Sequence, residues 1–160
     1  MLNLLPSEVD VAVIGAGSAG LPAFRAAREH TDRVILIERG PHGTTCARVG
    51  CMPSKLLIAA AEAVHGMEIA PGFGIHPGSI RIDGEAVMER VRRERDRFVG
   101  FVLDGVDRID SEQKISGKAR FVEDSRLEIG NSQVRAGRVV IASGTSPAIP
   151  DFLGEVRDRL

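Results

Sequence analysis

The sequence has no tryptophan and no tyrosine, which argues against an aromatic platform for stacking single-stranded nucleic acid. It has almost no net charge. The 21 Lys and Arg against 22 Asp and Glu leave −1 at pH 7, so no broad electrostatic case exists for nucleic acid or an anionic membrane. No apolar run stands out as fit to span a bilayer. Residues Met1 to Pro6 lack the basic start and apolar stretch of a signal peptide. A cytoplasmic site follows as the expectation. Cysteine is scarce too: Cys46 and Cys51 are the only two. In a cytoplasmic chain, such a pair suggests catalysis or metal binding rather than a structural bridge.

What is present fits one domain of ordinary size. The chain has 160 residues, 43% hydrophobic and 27% charged, enough for a normal core. Val9 to Ile14 is a short apolar run stopped by Gly15 and predicts a buried parallel strand. Ser18 to His30 predicts a helix with Pro22 in its first turn, where a missing N–H does little harm. Val34 to Ile37 is a second buried strand, closed by Glu38. Gly40 to Gly50 reads as a loop. A helix follows from Pro53 to about His65, then a Gly- and Pro-rich connection over Ala70 to Ser79. Glu85 to Val106 predicts a long helix with Val87, Val91, Phe98, Val102 and Val106 on one stripe. Short strands are expected at Lys118–Val122, Arg126–Ile129 and Arg138–Ala142, parted by turn signals.

Gly15-Ala16-Gly17-Ser18-Ala19-Gly20 fits G-x-G-x-x-G between a strand and a helix. Gly15 would turn the chain out of the strand, Gly17 would let backbone approach a pyrophosphate, and Gly20 would let helix pack on strand. The phosphates would sit at the helix N-terminus, where free N–H groups favour anions. Glu38, at the end of the second strand, can accept both hydroxyls of a ribose and would repel a 2′-phosphate.

The cysteines are separated by four residues and stand before a helix. A disulfide closing so short a loop contributes only about 2 kcal/mol in the chain-entropy model, so a redox couple is the favoured reading. Two others stay open: a metal site that adds His42 and His65, whose spacing fits no common zinc pattern, and a pair of inert buried thiols. Cys51, at the start of the helix, is expected to be held as a thiolate by unpaired N–H groups, with Lys55 adding positive charge. Cys46, on the loop, is expected to be the more accessible thiol. His30, His42, His65 and His76 read as surface or loop histidines.

At these residues the chain resembles the flavin-dependent pyridine nucleotide–disulfide oxidoreductases, and most of all their dihydrolipoamide dehydrogenase-like branch. The resemblance runs through Gly15 to Gly20, Glu38, Gly43-Thr44-Thr45-Cys46, Val49-Gly50-Cys51-Met52-Pro53-Ser54-Lys55 and Ile141-Ala142-Ser143-Gly144-Thr145-Ser146-Pro147. It implies an α/β, Rossmann-like FAD-binding domain with a parallel sheet, helices on both faces and a small β-meander, incomplete relative to the family. The implied cofactor is FAD. Gly15, Gly17, Ser18, Ala19, Gly20, Glu38 and Arg39 would meet its adenosine and pyrophosphate end. Thr44, Thr45, Cys46 and Lys55 would meet it from the redox segment, and Ala119, Ser143 and Gly144 from the later strands. Catalysis would fall to three residues. Cys51 would stack against the flavin as the charge-transfer thiol, Cys46 would exchange with the substrate disulfide, and Lys55 would lie near the flavin N5. No resident metal is implied.

The sequence also departs from the family. Thr44 stands where a second glycine is usual, and Ala47-Arg48 where Leu-Asn is usual. Arg48 thus places a cation inside the redox segment. Residues 1–150 are expected to be the first portion of the FAD domain, and 151–160 a tail leading to an absent NAD(P) domain. In the longer protein the resemblance implies NAD(P), a small-molecule or lipoyl-domain disulfide or dithiol as substrate, and a homodimer, with no nucleic acid and no membrane as partner. Mercuric or glutathione-type reduction is the alternative activity, and an FAD-binding piece with no catalysis is another.

Overall fold

The computed structural model describes residues 6–146 and 148–152. The expectations placed on the first five residues, on Pro147 and on the tail from 153 onward lie outside them. The fold is α/β, built on a six-stranded sheet in the order β3-β2-β1-β6-β5-β4. Strand β1 (Glu8–Ile14), helix α1 (Gly20–Arg28) and strand β2 (Val34–Glu38) form a βαβ unit. β1 runs parallel to β2, with Val11 to Ile14 opposite Val34 to Ile37, and parallel to β6 (Ser132–Ile141) on its other side. β4 (Ala119–Glu123) and β5 (Arg126–Ile129) then continue the sheet as an antiparallel meander.

The alternation along β2 divides the core. Val34 and Leu36 point to one cluster with Val13, Leu21 and Phe24 of α1, and Val106. Ile35 and Ile37 point to the other, with Val9, Ala12, Leu127, Ile129, Val134 and Ala136. Helices therefore line the first cluster, and strand residues from the core and the meander build the second. No polar or charged side chain is buried among the described residues.

Four details differ from the sequence expectations. The expected loop before Cys51 contains a one-turn helix, α2 (Thr45–Val49). Helix α3 (Cys51–Ile69) begins at Cys51 and continues past His65 until the Ala70–Phe73 3-10 turn, where Pro71 enters. Strand β3 (Lys114–Ser116) was not anticipated; it adds to β2 through Leu36 to Glu38. β6 is longer than Arg138–Ala142 because its first half, from Ser132, pairs with β5 before its second half pairs with β1.

Helix α4 (Gly84–Asp107) matches its expected span, and Asp83 caps it by accepting the Ala86 N–H at 3.0 Å. Val91 and Val106 are buried, whereas Phe98 is exposed and stacks edge-on with Phe101 at 6.5 Å between centroids.

Helix α3 overturns one exclusion. The helical stretch Thr45–Phe73 is long and apolar enough, by length and composition, to cross a membrane, with a mean hydropathy of 1.2 over its best window. Ala, Leu, Ile and Met supply that hydropathy without a continuous run conspicuous to the eye. Its Leu56, Ala60 and Val64 are half-buried, one per turn, while Leu57, Ile58, Met67 and Ile69 face out.

Leu36 is fully buried at the middle of the sheet, between β1 and β3. Leu36→Ala is expected to lower the unfolding free energy by about 2–5 kcal/mol, read from the urea midpoint at constant slope.

Candidate functional site

The glycine turn lies at the carboxyl ends of the parallel strands. A Cβ on Gly20 would overlap the Gly15 carbonyl oxygen, so only glycine lets α1 come this close to β1. Gly15 itself has φ 105°, and a Cβ there would overlap the Ala142 carbonyl and lie 3.2 Å from the Ser143 Cα. Gly17 is different: nothing lies within 4 Å of where its Cβ would be. It therefore opens on free space at the start of a helix that has no acidic first turn and no side-chain cap. Those uncapped N–H groups suit an anion.

Glu38 braces this turn. Its Oε2 accepts the Ala16 N–H at 2.7 Å and its Oε1 the Gly40 N–H at 2.8 Å. A carboxylate has about four lone-pair sites, so two remain for a ligand diol. The Glu38 carbonyl accepts the Gly117 N–H at 2.9 Å, which brings the chain leading to Ala119 beside β2. Ser143 and Gly144 reach the turn from β6, where Ala142 N–H donates to the Ile14 carbonyl at 2.8 Å. The structure thus gathers Gly15, Gly17, Ser18, Ala19, Gly20, Glu38, Ser143 and Gly144 at one edge. Ala119 is half-buried in β4 at that segment's far end, and Arg39 is exposed just past Glu38. The open Gly17, the uncapped helix start and the carboxylate are a donor and acceptor set that fits a dinucleotide.

The segment that carries the cysteines follows on from Glu38; Cys46 is only eight residues further along. Thr44 caps α2, its Oγ1 accepting the Ala47 N–H at 3.1 Å. Cys46 on α2 and Cys51 at the first position of α3 are free thiols, and Cys51 is the neighbour that acts most strongly on Cys46. The accessibility expected for them is reversed. Cys46 is half-buried and Cys51 exposed, because the expected loop winds into α2 and turns Cys46 inward. The backbone N–H of Cys51, the first of α3, favours the charged form of Cys46. Lys55, exposed one turn along α3, acts on the same thiol. Thr45 is exposed beside it.

The Cys46 pKa lies above the ordinary thiol value. The side-chain hydrogen bond with Cys51 is the largest cause, followed by burial and the Cys51 charge; the Cys51 N–H and the Lys55 charge oppose the rise. His42 was expected as a plain loop residue; it is half-buried, and its Nδ1 is buried without a hydrogen-bond partner. Sequence reasoning missed it because nothing in its neighbours predicts that the corner folds inward.

A model of the family described as pyridine nucleotide-disulphide oxidoreductase matches residues 9–159. The chain belongs to the pyridine nucleotide-disulphide oxidoreductases. Among curated relatives, a mercuric reductase of Streptomyces lividans is 36% identical over 91% of this chain and 32% of its own length. A mercuric reductase of Lysinibacillus sphaericus is 32% identical over 91% of this chain and 27% of its own. A glutathione reductase of Burkholderia cepacia is 31% identical over 92% of this chain and 32% of its own. The chain thus spans about a third or less of the length of these oxidoreductases.

Thr44 has φ 58° and ψ 148°, a region all but reserved for glycine, where a β-branched residue costs about 1–3 kcal/mol. Thr44→Gly removes that strain, while Gly in place of a capping residue costs only a few tenths of a kcal/mol and its extra chain freedom about 0.5–1 kcal/mol. A net gain of about 1 kcal/mol in unfolding free energy is expected. Thr44→Ala keeps the strain and loses the cap, so it should lose about 1 kcal/mol; opposite signs in urea denaturation are the check. For Cys46 the neutral thiol is the favoured form, so the group ionises late as pH rises. Its alkylation by iodoacetamide, followed by mass spectrometry, should reach half-maximal rate at a higher pH than a free thiol. Cys51→Ala, which removes the largest cause, should bring that midpoint down.

Proposed function

We propose that the chain is the FAD-binding, disulfide-bearing portion of a flavin disulfide oxidoreductase, with Cys46 and Cys51 as its redox couple. The observation that carries this reading is the placement of the two cysteines, both free thiols, on either side of the α2–α3 junction, where a Cβ on the intervening Gly50 would lie 3.5 Å from the Cys46 Cα. Gly15 to Gly20 would hold the FAD pyrophosphate and Glu38 the ribose diol. Ala119, Ser143 and Gly144 would hold the cofactor from the β4 and β6 segments, and Arg39, Thr44 and Thr45 from the chain between. FAD, when bound, supplies a two-electron acceptor and donor.

The chain's own residues handle the sulfur chemistry. A substrate thiolate attacks Cys46 of the oxidised pair, forming a mixed disulfide and releasing Cys51 as a thiolate. The second substrate thiol then displaces Cys46, so the substrate leaves as a disulfide and both cysteines are reduced. Negative charge developing on Cys46 during that release is stabilised by the Cys51 N–H and the Lys55 ammonium. Cys51, the more exposed thiol, is the one left open for a flavin ring to cover.

In a protein of the relatives' length, NAD(P) would exchange electrons with FAD, and the active form would be a homodimer in the cytoplasm. The run Pro53-Ser54-Lys55 supports a dihydrolipoyl dehydrogenase type acting on a lipoyl or small-molecule dithiol, or a mercuric type, over a glutathione type. A second reading, reduction of Hg(II) or glutathione disulfide, is favoured by the names of the relatives. On either reading, the apolar outer face of α3 is covered by protein rather than lipid, because Lys55, Glu62 and Glu68 punctuate it.

FAD titrated into the purified chain should lose flavin fluorescence on binding. Gly17→Val should weaken binding at least tenfold, on the order of one lost phosphate contact, with an unchanged circular dichroism spectrum. Equal FAD binding by both chains would remove the glycine turn from the cofactor site.

A further inference from the structure

The corner before α2 is held from both sides. Gly43 is buried with φ 107°. A Cβ there would lie 3.1 Å from the Arg48 Cδ on one side and 3.1 Å from the Val99 Cγ1 of α4 on the other. Arg48 also folds back along the chain. Its Nη1 donates to the Pro41 carbonyl at 3.4 Å, and its backbone N–H donates to the Thr44 carbonyl at 3.1 Å. One side chain therefore spans from the entry of the corner to the helix it opens into. Thr44, inside that span, has a backbone conformation that persists only where its surroundings over-determine it. Cys46 is two residues further on.

We propose that Arg48 is a positioning residue for the thiol pair: with Val99 as the opposing jaw, it clamps the Gly43–Thr44 corner and so keeps Cys46 against Cys51. The proposal rests on the reading of these cysteines as a redox couple. If the clamp opens, Thr44 relaxes toward the extended region, the start of α2 rotates, and Cys46 swings away from Cys51. A disulfide tolerates little of that motion, since its Cβ atoms must stay within about 3.5–4.5 Å. Arg48 is also the residue that departs from the family pattern next to the departure at Thr44, so the two changes are read here as one unit, a strained corner and the brace that holds it.

The test is the equilibrium between the 160-residue chain and dithiothreitol. Two protein thiols and oxidised dithiothreitol give the Cys46–Cys51 disulfide and reduced dithiothreitol. One S–S bond forms in the protein, one breaks in the reagent, and two hydrogens and two electrons pass to the reagent. The oxidised fraction is read by mass spectrometry after acid quench, and circular dichroism establishes that each variant is folded. Arg48→Ala should lower the equilibrium constant for disulfide formation about tenfold, the scale of a released backbone strain. Arg48→Lys keeps an aliphatic stem over Gly43 and should recover most of that loss. Val99→Ala opens the other jaw and should move the constant the same way; it carries the test if Arg48→Ala does not fold. On a Thr44→Gly background, where the corner needs no clamp, Arg48→Ala should have little effect. An unchanged constant in Arg48→Ala and Val99→Ala, or an equally large effect with and without Thr44→Gly, overturns the clamp. A wild-type chain that forms no disulfide at any dithiothreitol ratio overturns the redox reading itself, and the clamp with it.

Discussion

The rest of the structure depends on how closely α1 approaches the end of β1. Gly20 sits against the Gly15 carbonyl with no room for a side-chain carbon, and Gly15 sits against Ala142 in the same way. These contacts fix three things together: the angle at which α1 leaves the sheet, the free space over Gly17, and the nearness of the β6 end to the turn. A cofactor cradle built from backbone needs all three. The hydrophobic clusters on either face of β2 hold the sheet in place, but the approach at the glycines decides what its edge can receive.

The second constraint is local and lies in the segment that carries the two cysteines. Five residues make a helix too short to be stable alone, yet α2 forms because Thr44 caps it and Arg48 ties it back to Pro41. The backbone N–H at the start of α3 favours the charged form of the upstream cysteine, Cys46. The helix-terminus effect anticipated from Cys51's position thus acts through Cys51's backbone on Cys46. In this arrangement Cys51 is the main reason that Cys46 holds its proton to higher pH than an ordinary thiol.

Much of this was legible in the sequence. Val34 to Ile37 announces a buried strand because a run of apolar β-formers ends in an acid, and it is one. The span of α4 was readable from its apolar stripe, while its Asp83 cap came to light only in the structure. The glycine turn was readable because each glycine has a separate steric task. What was hidden depends on tertiary partners. β3 has a single large apolar residue, Ile115, and exists only because β2 offers it an edge. α2 could not be seen because its cap residue occupies a conformation no propensity scale grants to threonine. Phe98 left the expected stripe, although Val91 before it and Val106 after it are buried, and Val99 faces Gly43 beside it. The apolar character of α3 was spread over all its faces and so showed no periodicity to read.

Strand β6 pairs in two senses within one sheet, antiparallel to β5 and parallel to β1. Arg135 lies opposite Arg126 of the antiparallel meander and opposite Glu8 of the parallel core, and the residue just past the strand, Ala142, lies against Gly15. A slip of one residue anywhere along it would be felt at both ends. The meander therefore works as a ratchet for the crevice: its hairpin pairing meters where Ser143 and Gly144 stop, and a change of sequence at the Gly130-Asn131 turn would be transmitted as a change of reach some ten residues away.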